Sequence, residues 1–159
     1  MENQGYLMAK KKTSLSVEES TVELGMLAES LGYHLRRAQL NNYRRFAATL
    51  GRTGITPAQL TVLLLVEINP GISQTELGGI LGMDRATTMT LIDKLQIREW
   101  LQRRKSAQDR RKHALHLTAK GERALRKMKA EIDVAEKDFT AALSRDERKQ
   151  LLFLLQKLI

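Results

Sequence analysis

The sequence contains no cysteine, and this absence excludes several kinds of site at once. Disulfide bonds, metal sites built on thiolates and redox sensing by thiols all need a cysteine side chain. The histidines are also few, at positions 34, 113 and 116, and they do not form a metal-binding pattern. No metal site is therefore predicted. Since nothing points to secretion, we expect a cytoplasmic protein.

Long apolar runs are absent as well. The longest, LTVLLLV at 60–66, is far shorter than the ~20 residues that a membrane-spanning helix needs. The lysines at 10–12 precede no apolar segment, so residues 1–17 are predicted to be a disordered basic arm and not a signal peptide. No membrane association is predicted.

The patterns that catalysis needs are also missing. No nucleophile beside a base, no pair of carboxylates and no glycine-rich phosphate loop stands out. We therefore expect neither an enzyme nor a bound cofactor. The composition, with only 2 prolines and 3 phenylalanines beside many Leu, Ala, Glu, Lys and Arg residues, favours helix.

Positive charge is what the chain has in excess. The 27 Lys and Arg residues outnumber the 18 Asp and Glu residues, which gives a net charge of +9. This sign favours nucleic acid as a partner, ahead of an anionic membrane surface or an anionic small molecule. Residues 84–112 carry nine Lys or Arg against four acids, a net of +5, so one short segment holds over half of the excess. A solvated basic loop is the alternative explanation.

Helix starts are marked by residues that favour the N-cap, four of them in the S/T-x-x-E/Q capping box. The boxes begin at Ser16, Thr56, Ser73 and Ser144, and the single caps are Asp84 and Thr118. Stops at Gly51, Pro70 and Gly82 complete the pattern. It predicts six helices, at 18–50 with a break near Gly32, 57–68, 74–81, 85–98, 119–142 and 145–157.

The third and fourth predicted helices form the pattern of a helix-turn-helix. Leu77 and Ile80 of the third helix are predicted to face a core. A buried stripe is predicted on the fourth, at Thr88, Leu91, Ile92 and Leu95. The opposite face is small and polar, as reading base edges in a major groove requires. Two strand-like segments follow, at 100–105 and 112–117, so the basic tip between them is predicted to lie against phosphate or in a minor groove.

The segment from Leu60 to Gly121 resembles the winged-helix core of MarR-type transcription regulators. The family pattern D-x-R and then L-T-x-x-G occurs here as DRR at 109–111 and LTAKG at 117–121. The resemblance covers about residues 25–159. It implies a mainly α fold with a small β-hairpin wing, in a single domain of residues 18–159. The winged helix-turn-helix would span 55–118, and long dimerisation helices would span 18–50 and 119–159.

The resemblance also implies which residues touch DNA. Arg111 would enter the minor groove, Asp109 would hold its guanidinium, and Arg110 would contact phosphate or support the wing. The other predicted contacts are Ser73, Gln74 and Thr75 to phosphate, Arg85, Ala86, Thr87, Met89 and Thr90 to the major groove, and the basic strand residues Arg103 and Arg104. Many relatives carry Arg where this chain has Thr90, so the base preference of a typical member is not carried over.

Family members are dimers, and the apolar segment LLFLLQKLI at 151–159 fits a homodimer interface. The alternative is a helix that packs only on its own chain. The predicted function is a dimeric, sequence-specific transcription regulator that acts as a repressor on a palindromic operator. A sequence-neutral architectural DNA-binding protein is the alternative, because it would share the basic wing without needing a polar recognition face.

A small-molecule effector is also expected. No acidic residue occurs between Glu29 and Glu67, and YHLRRAQ at 33–39 resembles regulators of aromatic-acid degradation, such as that of hydroxycinnamates. The effector class implied is an aromatic carboxylate or its coenzyme A thioester. The candidate contacts are His34, Arg37 and Asn41 to a carboxylate, and Arg36 and Arg44 to coenzyme A phosphates. These arginines would otherwise be solvated, bind DNA phosphate or pair with acids elsewhere.

Overall fold

The structure is a computed structural model that describes residues 14–17, 20–105 and 113–159. The chain divides into two compact units, Met1–Leu40 and Asn41–Ile159. Among the described residues, no helix is both long enough and apolar enough to cross a membrane.

The first unit differs from the helix predicted to begin at residue 18. Strands β1 (Ser14–Val17) and β2 (Ser20–Glu23) form an antiparallel hairpin, a 3₁₀ turn follows at Gly25–Glu29, and helix α1 spans Leu31–Leu50. The helix begins late because Gly25 has a φ of +52° and because the Ser30 hydroxyl accepts the Tyr33 N–H at 3.3 Å, as an N-cap does. The prediction of α-helix over the described residues 20–30, with a cap at Ser16, is therefore wrong. Of the predicted disordered arm, residues 1–13 lie outside the described residues and Ser14–Val17 is a strand.

The second unit follows the predicted order closely. Its helices are α2 (Pro57–Ile68), α3 (Gln74–Leu81), α4 (Arg85–Ile97), α5 (Ala119–Phe139) and α6 (Arg145–Gln156). The wing, named here as strands β3 (Leu101–Lys105) and β4 (His113–Leu117), lies between α4 and α5 in the sequence. The capping boxes predicted at Thr56, Ser73 and Ser144 are all present, and Asp84 and Thr118 cap α4 and α5.

The core of the second unit collects one face from each of α2 to α5 and from the wing. Its fully buried residues include Leu50, Val62, Leu63, Leu77, Ile92, Leu95, Leu101, Leu115 and Leu125. The stripe predicted on α4 is confirmed, but Ile80 of α3 is 60% exposed, so its predicted burial is wrong. With about 100° per residue, Leu77, Gly78 and Leu81 share one arc of α3, and Ile80 lies well outside it.

The wing is joined to the loop before α3 by a third extended segment. Gly71 donates its N–H to the Leu115 carbonyl at 2.8 Å, and Leu115 donates its own N–H to the Ile72 carbonyl at 3.0 Å. A further bridge pairs Ser73 with Ala114. The base of the wing is therefore hydrogen-bonded to the residues that lead directly into α3.

Candidate nucleic-acid interface

The start of α4 is held by Asp84. One carboxylate oxygen accepts the Thr87 N–H and the other accepts the Thr87 hydroxyl, both at 2.8 Å. These hydrogen bonds, led by the one from the backbone, hold the pKa of Asp84 below its ordinary value. The first turn of α4 is thus fixed by an ionised cap, as a helix N-terminus favours.

Helix α4 divides sharply into a buried and an exposed face. Thr88, Ile92 and Leu95 are almost fully buried, and the Thr88 hydroxyl donates to the Asp84 carbonyl at 2.9 Å. The five residues predicted to face a major groove are all exposed, and they are Arg85, Ala86, Thr87, Met89 and Thr90. The Thr90 hydroxyl donates back to the Ala86 carbonyl at 3.0 Å. The structure therefore gathers these five residues on one surface that is accessible to a ligand, with methyl and methylene groups prominent among them.

The start of α3 provides the three predicted phosphate contacts, in different environments. The Ser73 hydroxyl donates to a Glu76 carboxylate oxygen at 2.7 Å and accepts the Glu76 N–H at 3.2 Å, so it serves first as the cap of α3. Gln74 is half-buried and Thr75 is exposed. The N–H groups of this first turn remain the feature suited to an anion.

The two basic residues predicted on β3 point to opposite sides of the wing. Arg103 pairs with Leu115 across the strands and shares the face of the buried Leu101, whereas Arg104 pairs with Ala114. The Arg103 side chain is 21% exposed and forms an ion pair with Asp93 of α4, with Nη2 2.7 Å from the carboxylate. Arg104 is exposed. Although the prediction grouped them, Arg103 is engaged within the protein and Arg104 faces solvent.

Arg98, at the end of α4, is a positioning residue that the sequence did not reveal. Its guanidinium donates to the carbonyls of Thr53 and Gly54 at 2.9 and 2.8 Å, and it stacks on the Trp100 ring at 4.8 Å. The C-terminal end of α4 is thereby hydrogen-bonded to the loop before α2. Only the positive charge of Arg98 was visible in the sequence, because carbonyl acceptors leave no mark in it.

The tip of the wing carries the remaining predicted contacts, Asp109, Arg110 and Arg111. All three lie outside the described residues. The described strands bring the two ends of this basic segment together, since Lys105 and His113 are cross-strand partners.

The candidate effector residues lie on α1 and are exposed; they are His34, Arg36, Arg37, Asn41 and Arg44. His34 Nε2 donates to the Ala28 carbonyl at 2.8 Å, and Tyr33 meets the imidazole edge-on. Of the other arginines between Glu29 and Glu67, Arg45 pairs with Asp138, and Arg52 pairs with Glu131 at 2.5 Å. Arg45 and Arg52 were not among the candidate effector contacts.

A cavity of about 490 Å³ opens between the end of α2, the base of the wing and α5. It is lined by Val66, Glu67, Pro70, Arg104, His116, Leu117, Glu122, Arg126 and Lys129. Lys129 pairs with Glu67 at 2.5 Å, while Arg104 and Arg126 have no ion pair within the described part of the chain. The lining thus combines the apolar side chains of Val66, Pro70 and Leu117 with the cations Arg104 and Arg126 and the carboxylate of Glu122, a mixture found in small-molecule sites. Among the described residues, no group of three His, Cys, Asp or Glu side chains is placed to bind a metal.

Two helices with capped starts, an exposed polar face on the second and a basic antiparallel hairpin after it define a winged helix-turn-helix protein. The MarR family model matches residues 53–112, which run from the loop before α2 into the wing and so include the helix-turn-helix. A protein of Thauera aromatica, named as a transcriptional regulatory protein for the hcr operon, is 36% identical over 135 residues. That alignment covers 84% of this chain and 81% of the relative. The chain belongs to the MarR family of transcription regulators.

Two solved structures show the same fold. The transcriptional repressor CouR bound to a 23-mer DNA duplex has a TM-score of 0.82 and 39% identity, with 87% of this chain and 99% of that one covered. CouR bound to p-coumaroyl-CoA has a TM-score of 0.78 and 37% identity, over 86% of this chain and 96% of that one. The predicted mainly α fold with a small wing is confirmed, and so is the expectation of a regulator in place of an enzyme.

Proposed function

We propose that this protein is a sequence-specific repressor that binds a palindromic DNA operator as a homodimer. The observation that carries the proposal is the exposed face of α4, on which four small or polar-tipped residues and Met89 are held by the Asp84 cap and the Arg98 tether. A protein that only attracts the phosphate backbone needs no such ordered face. The complex of CouR with a 23-mer DNA duplex, which has this fold, supports DNA as the partner.

The homodimer is supported by the apolar surface of α6. Leu151, Leu152, Phe153 and Leu154 of α6, and Leu158 just beyond its end, are 44–59% exposed. So many exposed apolar side chains in one short segment mark an interface. Dimerisation would place two copies of α4 on one duplex, so the operator would be a palindrome.

Selection of duplexes from a random pool, at about physiological salt, tests the proposal. We expect enrichment of a palindrome whose half-site centres lie about one helical turn, ~10 bp, apart. Affinity for the selected duplex should exceed that for a scrambled one by ~10³-fold or more. Binding without enrichment, lost steeply as salt is raised, would support the architectural alternative.

The proposed effector is an anionic aromatic compound, either a carboxylate or its coenzyme A thioester. The p-coumaroyl-CoA complex of CouR supports this class. Two places on this chain suit the anion: the exposed arginines of α1, and the cavity at the wing base that includes Arg104 and Arg126. The α1 residues are the preferred contacts because their sequence resembles aromatic-acid regulators.

Release of the protein from its selected operator by p-coumaroyl-CoA, with p-coumarate and coenzyme A measured alone, tests this part. We expect Arg37→Gln to bind the operator normally and to need more effector for release. Arg126→Gln provides the matched comparison, because it removes the same charge from the wing-base cavity. If only Arg126→Gln needed more effector, the anion site would lie in that cavity and not on α1. If Arg37→Gln lost DNA affinity in the absence of effector, the sensor role of Arg37 would be refuted.

A further inference from the structure

Arg103 joins the wing to both helices of the helix-turn-helix. Its guanidinium pairs with Asp93 of α4 at 2.7 Å and also donates to the side-chain oxygen of Gln96, one turn further along that helix. The Gln74 side-chain amide faces the same guanidinium, and we assign its oxygen to that side because it then accepts from Nη2 at 3.1 Å. One side chain of β3 therefore has a partner at the start of α3 and two partners on α4.

We propose that Arg103 is a positioning residue that fixes the recognition helix against the wing, and so determines how strongly the protein discriminates between DNA sequences. This inference rests on the sequence-specific function proposed above. It differs from the initial prediction, in which Arg103 contacts DNA directly. The low exposure of its side chain, at 21%, and its three internal partners favour the internal role.

The chemistry of the guanidinium suits this role. Arg carries five N–H donors in one plane, which permits hydrogen bonds to acceptors that lie in different directions. A lysine ammonium is a compact charge on a flexible stem and does not reproduce that geometry. At Arg103 the donors are shared between a carboxylate and two amide oxygens, so few remain for a phosphate.

The ion pair of Arg103 with Asp93 matters for DNA binding because of where Asp93 lies on α4. Its side chain is 51% exposed, and it follows Met89 and Thr90 by about one turn of α4. Without Arg103, an unpaired carboxylate would stand beside the surface proposed to meet the duplex. Tilt of α4 would change as well, because the hydrogen bonds from β3 to Asp93 and Gln96 would be lost.

The two roles of Arg103 predict different responses to mutation. A phosphate contact adds about 0.9 to the slope of log affinity against log salt, whatever the sequence. If Arg103 made such a contact, Arg103→Gln would weaken operator and scrambled duplexes alike and lower the slope by about 1. Asp93→Asn would then leave discrimination unchanged and strengthen binding, because a negative charge near DNA is removed.

A positioning role predicts that Asp93→Asn and Arg103→Gln behave alike. We expect each to reduce the ratio of operator to scrambled affinity about tenfold, and the double variant to lose no more than either one, as coupled neighbours do. Asp93→Asn should keep the wild-type salt slope. Arg104→Gln is the matched control, one residue away on the other face of β3, and should weaken both duplexes alike.

Affinity for both duplexes over a salt series, with thermal unfolding of each variant, decides between the roles. Arg103→Lys is measured as well, because it keeps the charge and is expected to reduce discrimination as Arg103→Gln does. The inference would be overturned if Arg103→Lys discriminated as well as the wild type, or if the variants showed the pattern of a phosphate contact described above. In either case, a high ratio of operator to scrambled affinity in the wild type would still support the proposed function. A wild-type ratio near one would refute the proposed function, and this inference with it.

Discussion

The backbone carbonyl of Trp100 occupies the space where a Cβ on Gly121 would lie. An added methyl group would stand 2.8 Å from the carbonyl carbon and closer still to the oxygen. The same carbonyl accepts the Thr118 N–H at 3.1 Å, so it is fixed by the start of α5. The glycine of the L-T-x-x-G pattern is thus explained by a close approach of two backbones.

Gly121→Ala is therefore expected to destabilise the second unit by about 3 kcal/mol, at the upper end of the usual overpacking range, because the obstacle is backbone. Urea unfolding followed by circular dichroism measures the change. Gly79→Ala is the control, since nothing lies within 4 Å of its added Cβ, and it should be neutral or stabilising. Equal stability of the two variants would contradict this account of the close approach.

Arg98→Lys is expected to lower the free energy of unfolding by about 1–2 kcal/mol, because one ammonium cannot replace both carbonyl contacts and the stacking on Trp100. Trp100 is the single tryptophan of the chain. Its fluorescence should be quenched or shifted when the contact with Arg98 is lost. Arg123→Lys, at an exposed position of α5, should change neither. If both substitutions are neutral, the tether does not stabilise the fold.

The cap of α4 makes stability depend on pH. Since the folded pKa of Asp84 is lowered, the cap stabilises the protein above the unfolded pKa, and this stabilisation is lost as pH falls through the folded value. Asp84→Ala should thus have a lower urea midpoint than the wild type at neutral pH, and the difference should shrink toward about pH 2. Thr118→Ala removes a cap that does not titrate, so the difference between its urea midpoint and that of the wild type should not shrink in the same way at low pH.

Light scattering tests the role of α6. The double variant Leu151→Asp with Leu154→Asp should run as a monomer, because two charges would enter an apolar interface. Its operator affinity should fall, since one wing and one recognition helix are lost per duplex. Ile68→Asp, which alters a still more exposed apolar residue at the end of α2, should leave the mass unchanged. A dimer that persists in the double variant would place the interface elsewhere.

Arg111→Ala is expected to weaken operator binding by about 1–3 kcal/mol, as loss of a groove contact does. The effect should be smaller on a duplex with a wide minor groove at the wing position, because a narrow groove concentrates negative potential. Arg123→Ala, which also removes one positive charge, should leave the affinity nearly unchanged. Equal losses in the two variants would show that only net charge matters.

The helices of the second unit could be predicted because each start carries its own local signal. Thr56, Ser73 and Ser144 are followed by the reciprocal Gln or Glu, and the structure has all three boxes. Ser16 matches the same pattern but lies in β1, since a capping box favours a helix only where the residues after it favour one too. The residues Ser20, Thr21 and Val22 have weak helix propensity and Gly25 has a positive φ, which explains the late start of α1.

The candidate site was predicted in outline but not in its internal connections. The exposure of Arg85, Ala86, Thr87, Met89 and Thr90 followed from the helical period, because Thr88, Ile92 and Leu95 had to face the core. The role of Arg103 was hidden by its basic neighbours, although its alternation with Leu101 placed both on one face of β3. Pairing of Ile72 with Leu115 was not predictable, since a single extended residue has no period.

That pairing has a consequence for how the wing can vary. Because Ile72 and Ser73 hold the base of the hairpin at Leu115 and Ala114, the direction in which the wing leaves the body is decided before the chain reaches its tip. We therefore expect changes of length or sequence between Lys105 and His113 to leave the direction of strands β3 and β4 unchanged. The base of the wing thus has a fixed orientation, and it is compatible with connecting segments of different length and charge.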